Sequence, residues 1–262
     1  MQSSRRQLLR GIGFGAASLT APGVFAQALV ETARTTEGPF YPDQMPLDTD
    51  NDLLLVNDGI TPAVGEITHL TGRLLSASGD PIRNAFIEIW QTDVNGSYLH
   101  TQGRNDIGFD GNFQGYGRFL TDSAGRYYFR TIKPVEYTLQ GMHRAPHIHF
   151  AASKSGNRVL TTQALVKGHP ANERDGIVRQ LRDPAALESI LVDYQPLPES
   201  TLGELSANFD LVLGFTAEEI DDGGIGRLAP AEQQGRRFGG RGFGGRGGFG
   251  GRGAAPGASE PL

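Results

Sequence analysis

Between Ile67 and Leu213 the chain repeats one pattern: short runs of branched and aromatic residues cut by Gly, Asn, Asp, Ser and Pro. The runs occupy 67–75, 85–91, 126–132, 147–152, 159–166, 189–194 and 207–213, each with the length and composition of a strand. Gly79-Asp80-Pro81, Asn95-Gly96-Ser97, Asp110-Gly111-Asn112 and Asp122-Ser123-Ala124-Gly125 read as turns between them. Helical periodicity is scarce: one turn at 184–188 and a short segment at 173–182, after Pro170. An all-β protein follows, a β-sandwich with long loops and few short helices. Residues 31–66 show little periodicity and predict an extended arm wrapping the sandwich, the kind of long irregular segment that is often functional.

Both ends differ from this middle. Residues 1–28 carry Ser4-Arg5-Arg6-Gln7-Leu8-Leu9-Arg10, an apolar Gly/Ala/Leu stretch and a small-residue cleavage site, Ala26-Gln27-Ala28. That is the pattern of a twin-arginine export signal, and it predicts a periplasmic or secreted protein. The stretch is too short and Gly-rich to cross ~30 Å of hydrocarbon, which takes about 20 apolar residues, so no transmembrane segment is expected in the mature chain. Twin-arginine export moves folded proteins, which suits a chain that takes up a metal before leaving the cytoplasm. Residues 226–262 place Phe238, Phe243 and Phe249 among Arg241, Arg246, Arg252 and many glycines. Such a segment buries too little to offset its ordering entropy, and reads as a disordered cationic tail suited to polyanionic surfaces. Residues 29–225 remain as one sandwich domain, long enough for one substantial core, with a homo-oligomer left open.

The chain's net charge is -5; setting aside three leader arginines and the tail's net +4 leaves about -12 on residues 29–234. A body that acidic argues against nucleic acid as a partner of the folded domain. Cysteine is absent, which excludes disulfides, iron–sulfur clusters, thiolate zinc sites and a cysteine nucleophile. Any metal must then rely on His, Tyr, Asp or Glu, and six histidines and seven tyrosines are present.

Among these, Tyr98, Tyr137, His147 and His149 can together make a four-ligand iron site. On a strand, residues two apart face the same side, so His147 and His149 can direct both imidazoles at one ion while Ile148 faces the opposite layer. A His-x-His pair alone is as readily two core histidines. A phenol has an unperturbed pKa of about 10, so tyrosinate needs a strong Lewis acid, which trivalent iron supplies better than zinc or ferrous iron. Tyr98 follows the Asn95-Gly96 turn and Tyr137 follows Pro134, both read as loop positions at strand ends, where active-site residues commonly sit. Either tyrosine by itself is an ordinary packing or turn residue.

The order of these words resembles the intradiol ring-cleaving catechol dioxygenases, especially the metal-binding chain of the protocatechuate type. The resemblance covers 36–41, 85–98, 117–137 and 144–150, with Gln163 beyond, and rests on Phe129-Arg130-Thr131-Ile132-Lys133-Pro134 and Arg144-x-x-His147-x-His149 occurring in order with both tyrosines. It implies a transthyretin-like β-sandwich in which Tyr98, Tyr137, His147 and His149 bind one ferric ion, with water or hydroxide beside them. It implies a catecholic substrate that displaces Tyr137, which helps take up the phenolic protons, and O2 as co-substrate. The ring opens between its hydroxylated carbons to a cis,cis-muconate-type diacid. Arg144 is placed to stabilise charge on the bound ring, Gln163 matches a polar residue beside the substrate, and Pro39 and Tyr41 belong to a segment that forms one pocket wall. Trp90, in an alternating strand, is assigned to the core rather than the site.

Thr138-Leu139-Gln140 follow Tyr137 where protocatechuate enzymes carry an aromatic, so the catechol is left unnamed. A cupin-type enzyme also uses His-x-His, but wants a Glu a few residues later, and none follows His149 before Glu173. The alternative kept is a non-catalytic transthyretin-like binding module, suggested by the turn-strand word from Thr121 to Phe129.

Overall fold

The computed structural model describes residues 29–215 except 47 and 58; the leader at 1–28, the end of the expected domain at 216–225 and the tail at 226–262 lie outside the described residues. The strands are β1 (Ile67–Leu75), β2 (Ala85–Trp90), β3 (Tyr116–Leu120), β4 (Arg126–Ile132), β5 (Tyr137–Leu139), β6 (Met142–Arg144), β7 (His147–Lys154), β8 (Asn157–Val166), β9 (Leu191–Val192), β10 (Tyr194–Pro196), β11 (Leu205–Asn208) and β12 (Leu211–Val212). Among the described residues, one helical turn, α1 (Pro184–Glu188), and 3-10 turns at Thr101–Gly103, Pro170–Arg174 and Val178–Gln180 accompany these strands. One sheet runs β10-β11-β1-β4, with β12 continuing along β1 in the register of β11. The other runs β3-β2-β7-β8-β9, and β5 and β6 form a separate hairpin. The all-β architecture expected from the sequence is the one observed. Among the described residues no helix is long and apolar enough to cross a membrane.

Two expected strands are divided. The run 189–194 changes sheets at Asp193: Leu191 and Val192 pair with β8, whereas Tyr194 pairs with Ala207 of β11. The run 207–213 is interrupted because Asp210 turns its carboxylate onto the Arg73 backbone N–H and guanidinium, both at 2.9 Å. Strand β3 went unforeseen because Gly117 breaks its apolar pattern, and β5 and β6 are each too short for a period of two to be read. Of the helical expectations, α1 forms where Asp183 caps it, and 173–182 resolves into the two later 3-10 turns.

The core lies between the sheets. Leu70 and Leu74 of β1 and Phe129 of β4 meet Ile87 and Ile89 of β2, Ile148 and Phe150 of β7 and Leu160 of β8; each such side chain stabilises the fold by roughly 1.5–3 kcal/mol. The arm wraps this sandwich as expected. Leu29 N–H donates to Ala77 O at 3.1 Å, Thr32 N–H to Val212 O at 3.0 Å and Thr35 N–H to Thr161 O at 3.0 Å, carrying the chain from the first sheet to the second. Farther along, Arg118 N–H donates to Asp50 O at 3.2 Å and Leu53 N–H to Arg130 O at 2.8 Å, so the arm closes the gap between the edges of β3 and β4. Leu53 and Leu54 are fully buried there.

One close crossing ties the first sheet together. The Tyr127 hydroxyl passes over Gly72 of β1 and donates to Phe209 O, and a Cβ at position 72 would collide with both. Gly72→Ala is therefore expected to destabilise the protein by roughly 1–3 kcal/mol, read as a lower denaturation midpoint in guanidinium chloride; an unchanged midpoint would contradict the crossing.

Candidate metal centre

Alternation along β7 decides where the site lies. Ile148 and Phe150 enter the core between the sheets, which sends His147 and His149 to the opposite, outer face of the second sheet. Register then sets Tyr116, Trp90, His149 and Gln163 side by side across β3, β2, β7 and β8. This row is covered by the arm and by the loop after β2, leaving His147 and His149 only 1% and 2% exposed.

Four polar atoms converge beneath that cover. Tyr98 Oη lies 3.0 Å from Tyr137 Oη, 3.3 Å from His147 Nε2 and 3.0 Å from His149 Nε2, and the two Nε2 atoms are 3.2 Å apart. This is about the spacing that one shared ion imposes on its donors. His147 Nδ1 lies 2.6 Å from Ala145 O, which fixes the proton on Nδ1 and leaves the Nε2 lone pair facing the other three atoms. His149 is held by packing instead: the Trp90 indole stacks on it at 4.8 Å and 9°. Trp90, read from the sequence as a core residue, thus forms the wall behind a candidate ligand. Its aromatic bulk in an alternating strand carried no sign of that stack.

The loop after β2 delivers Tyr98 in a shape set by Asp93. That buried carboxylate accepts from Asn95 N–H and Ser97 N–H at 2.9 Å through Oδ1, and from Asp110 N–H at 2.6 Å through Oδ2. Gly96 adopts φ +76, and a Cβ there would sit 2.8 Å from Tyr137 Cβ, so the turn that carries one phenol also seats the other. Tyr137 opens β5 rather than standing in a loop, and pairs with Arg144 of β6. The Asp-x-Asn-Gly word announced a turn but gave no sign that two phenols depend on it.

Burial dominates the electrostatics. Desolvation, with the Arg144 charge behind it, pushes His147 down to about 3, and desolvation with His147 nearby pushes His149 well below its ordinary value. Both imidazoles are therefore neutral and able to donate a lone pair. Desolvation also raises Tyr98 well above the usual phenol value, Tyr137 adding to it. Tyr137 is raised by desolvation too, and there Arg144 pulls the other way. Without a cation both phenols keep their protons. Among the described residues no three of His, Asp and Glu gather where a metal could be held, and the side-chain donors beside the two histidines are the phenols of Tyr98 and Tyr137. Two neutral imidazoles and two desolvated phenols fit an ion charged enough to ionise phenol.

Beside the four donors lies a cavity of about 250 Å³, lined by residues that include Pro39, Phe40, Tyr137, Leu139, Arg144 and Ile177. That is just below the roughly 300–1,000 Å³ of typical ligand pockets, and suits a single ring. Of the two wall residues named from the sequence, Pro39 is in the lining and Tyr41 is not. The Tyr41 hydroxyl donates to Glu88 Oε1 at 3.0 Å and its ring meets Trp90 edge-on, because the arm turns at residues 39–41 and carries Tyr41 past the cavity. Phe40 is the aromatic that reaches the cavity. Gln163 is not in the lining; it accepts from Arg144 Nη2 at 2.7 Å and donates to Thr36 O at 3.0 Å. Asp175, unforeseen and 31 residues beyond Arg144, accepts from Arg144 Nε at 2.9 Å. Burial works to raise this carboxyl, but Arg144 and the Ala145 N–H outweigh it and hold it below the usual range.

An all-β sandwich with a buried His–Tyr donor cluster beside a single-ring cavity defines the class of protein. A family model described as "Dioxygenase" matches residues 36–214. The protocatechuate 3,4-dioxygenase beta chain of Burkholderia cepacia is 37% identical over 194 residues, 71% of this chain and 80% of that relative. Catechol 1,2-dioxygenase 2 of Acinetobacter lwoffii is 33% identical over 183 residues, 60% of this chain and 62% of that relative. Among solved structures, the dioxygenase domain of a dioxygenase and carbohydrate-binding protein fusion from Streptomyces sp. SirexAA-E superposes with a TM-score of 0.53 at 25% identity, covering 71% of this chain and 99% of that one. The chain belongs to the intradiol ring-cleavage dioxygenase family. The non-catalytic binding module is thereby set aside.

The lowered histidines give the metal-free protein a specific acid sensitivity. In the unfolded chain each histidine takes up its proton near 6.5, whereas folded His147 does so only at about 3. Between those values the unfolded state binds more protons, so stability falls as pH falls below about 6.5. Two such protons give a slope of at most about 2.7 kcal/mol per pH unit. Denaturant unfolding of metal-free protein from pH 7 to 4.5 should show the decline beginning near pH 6.5; a flat profile would mean that the imidazoles are not held neutral.

Proposed function

We propose that this protein is a non-haem iron(III) intradiol dioxygenase that opens a catecholic ring between its two hydroxylated carbons and yields a cis,cis-muconate-type dicarboxylate. Both atoms of O2 end in the two new carboxyl groups, so the diacid has the atoms of catechol plus O2 and no other oxidant is needed. The observation that carries the reading is the meeting of Tyr98, Tyr137, His147 and His149 at 3.0–3.3 Å beside a single-ring cavity. Ferric iron, when bound there, supplies the charge that ionises phenols and draws electron density from a catecholate so that a ring carbon reacts with O2.

The residues of the chain divide the remaining work. His147 and His149 offer fixed, neutral nitrogen lone pairs, one oriented by Ala145 O and the other by Trp90. Tyr98, 1% exposed and away from the cavity lining, acts as the permanent phenolate. Tyr137 lines the cavity, so its phenolate oxygen is the one that can leave its place and accept a proton from an incoming catechol hydroxyl. Arg144 faces the same space with a guanidinium that stabilises negative charge on Tyr137 and on the ring. Pro39, Phe40 and Ile177 line the cavity and would hold the ring and exclude water. Arg5-Arg6 and Ala26-Gln27-Ala28 support export by the twin-arginine route to the periplasm or beyond.

The iron-loaded protein is expected to be red to burgundy from tyrosinate-to-iron(III) charge transfer, and to bleach with dithionite. With catechol it should consume one equivalent of O2 and form a muconate, followed by oxygen electrode and chromatography. A yellow semialdehyde product would overturn the intradiol assignment, and a colourless iron-replete protein would overturn the tyrosine ligands. His147→Ala should lose iron, measured by metal analysis of the purified variant.

A further inference from the structure

Arg144 is buried, 8% exposed, and a buried guanidinium needs its orientation imposed by partners. One residue that nothing in the sequence singled out supplies most of that. Asp175 is fully buried. Its Oδ2 accepts from Arg144 Nε and from Ala145 N–H, both at 2.9 Å. Its Oδ1 accepts from Ile177 N–H at 2.8 Å and Val178 N–H at 3.3 Å. One carboxylate thus joins the cavity-facing cation, the link from β6 to β7 that leads to His147, and the segment whose Ile177 lines the cavity. Gln163 takes Arg144 Nη2, and Tyr137, opposite Arg144 across β5 and β6, lines the same cavity as the guanidinium.

We propose that Asp175 is the positioning residue of the site: it sets the plane of the Arg144 guanidinium against Tyr137 and keys the Ile177 wall to that plane. This rests on the ring-cleavage reading above, since only there does the direction of Arg144 govern a reaction. Lysine would not substitute for Arg144, because the arrangement uses Nε, Nη2 and the remaining face of one planar fork. Asp175 also reaches His147 by way of the Ala145 peptide, whose N–H it accepts and whose carbonyl holds Nδ1. A role through that route predicts a different outcome from a role through Arg144, and the two can be separated.

The test is a double-mutant cycle on the iron-loaded protein with Asp175→Asn, Arg144→Met and both together. Asp175→Asn is expected to lower kcat roughly 10- to 100-fold with KM moved less, to keep its iron, and to shift the charge-transfer band as Arg144 leaves Tyr137. In the Arg144→Met background the same change should lower kcat no further. Should Asp175→Asn alone fail to fold, the double variant removes both buried charges and is compared directly with Arg144→Met. Wild-type kcat and an unshifted band in Asp175→Asn, or a further tenfold loss in the double variant, overturns the proposal. A wild-type protein that binds iron but cleaves no catechol would instead overturn the parent reading, so the two failures are distinguishable.

Discussion

The register of β7 between β2 and β8 is the constraint on which the rest depends. Because strand side chains alternate, a slip of one residue would turn His147 and His149 into the core and Ile148 and Phe150 out of it. Register is enforced from both sides, with Trp90 opposite His149 on one neighbour and Gln163 opposite it on the other. The intersheet core pins it thermodynamically, since Ile148 and Phe150 are both fully buried. The site is therefore built on the outer face of a sheet whose inner face provides the stability. That separation also explains the arm: an outer face carrying buried imidazoles and phenols must be covered, and the residues before β1 and after β2 cover it.

Covering the site creates an electrostatic demand. Four desolvated donors, a buried guanidinium and a buried carboxylate lie together, and each would be costly alone. The protein meets part of the demand internally. Arg144 is matched by Asp175 and Gln163, and the imidazoles give up their charge. The phenols are left protonated by the same burial, and the anionic role proposed for them would require a strong external cation. On the proposed iron(III) reading, a preference for a trivalent metal would follow from burial as much as from the identity of the ligands.

How much of this was legible in the sequence varies by mechanism. Local signals were read well: the strand runs, the turns at Gly79 and Asn95, and the His-x-His alternation depend on neighbours along the chain, and the quoted tyrosines and histidines converge in space. Signals that depend on partners distant in sequence were not. Asp175 looks like any loop aspartate until Arg144 is folded against it, and Trp90 looks like core until His149 stacks on it. At Phe40 and Tyr41 the wall segment was legible, but a turn has no period to say which aromatic faces the cavity; Phe40 lines it and Tyr41 meets Glu88 and Trp90. Strand breaks at Asp193 and Asp210 belong to the same group, because a change of sheet at the first and a carboxylate bonded to Arg73 at the second are tertiary events with no period of their own.

That one iron sits among Tyr98, Tyr137, His147 and His149 is tested most directly by diffraction from the iron-loaded protein at wavelengths on either side of the iron absorption edge. The expected result is a single anomalous peak within bonding distance of Tyr98 Oη, Tyr137 Oη, His147 Nε2 and His149 Nε2. A peak elsewhere, or none there in crystals that analyse for one iron per chain, would contradict the account.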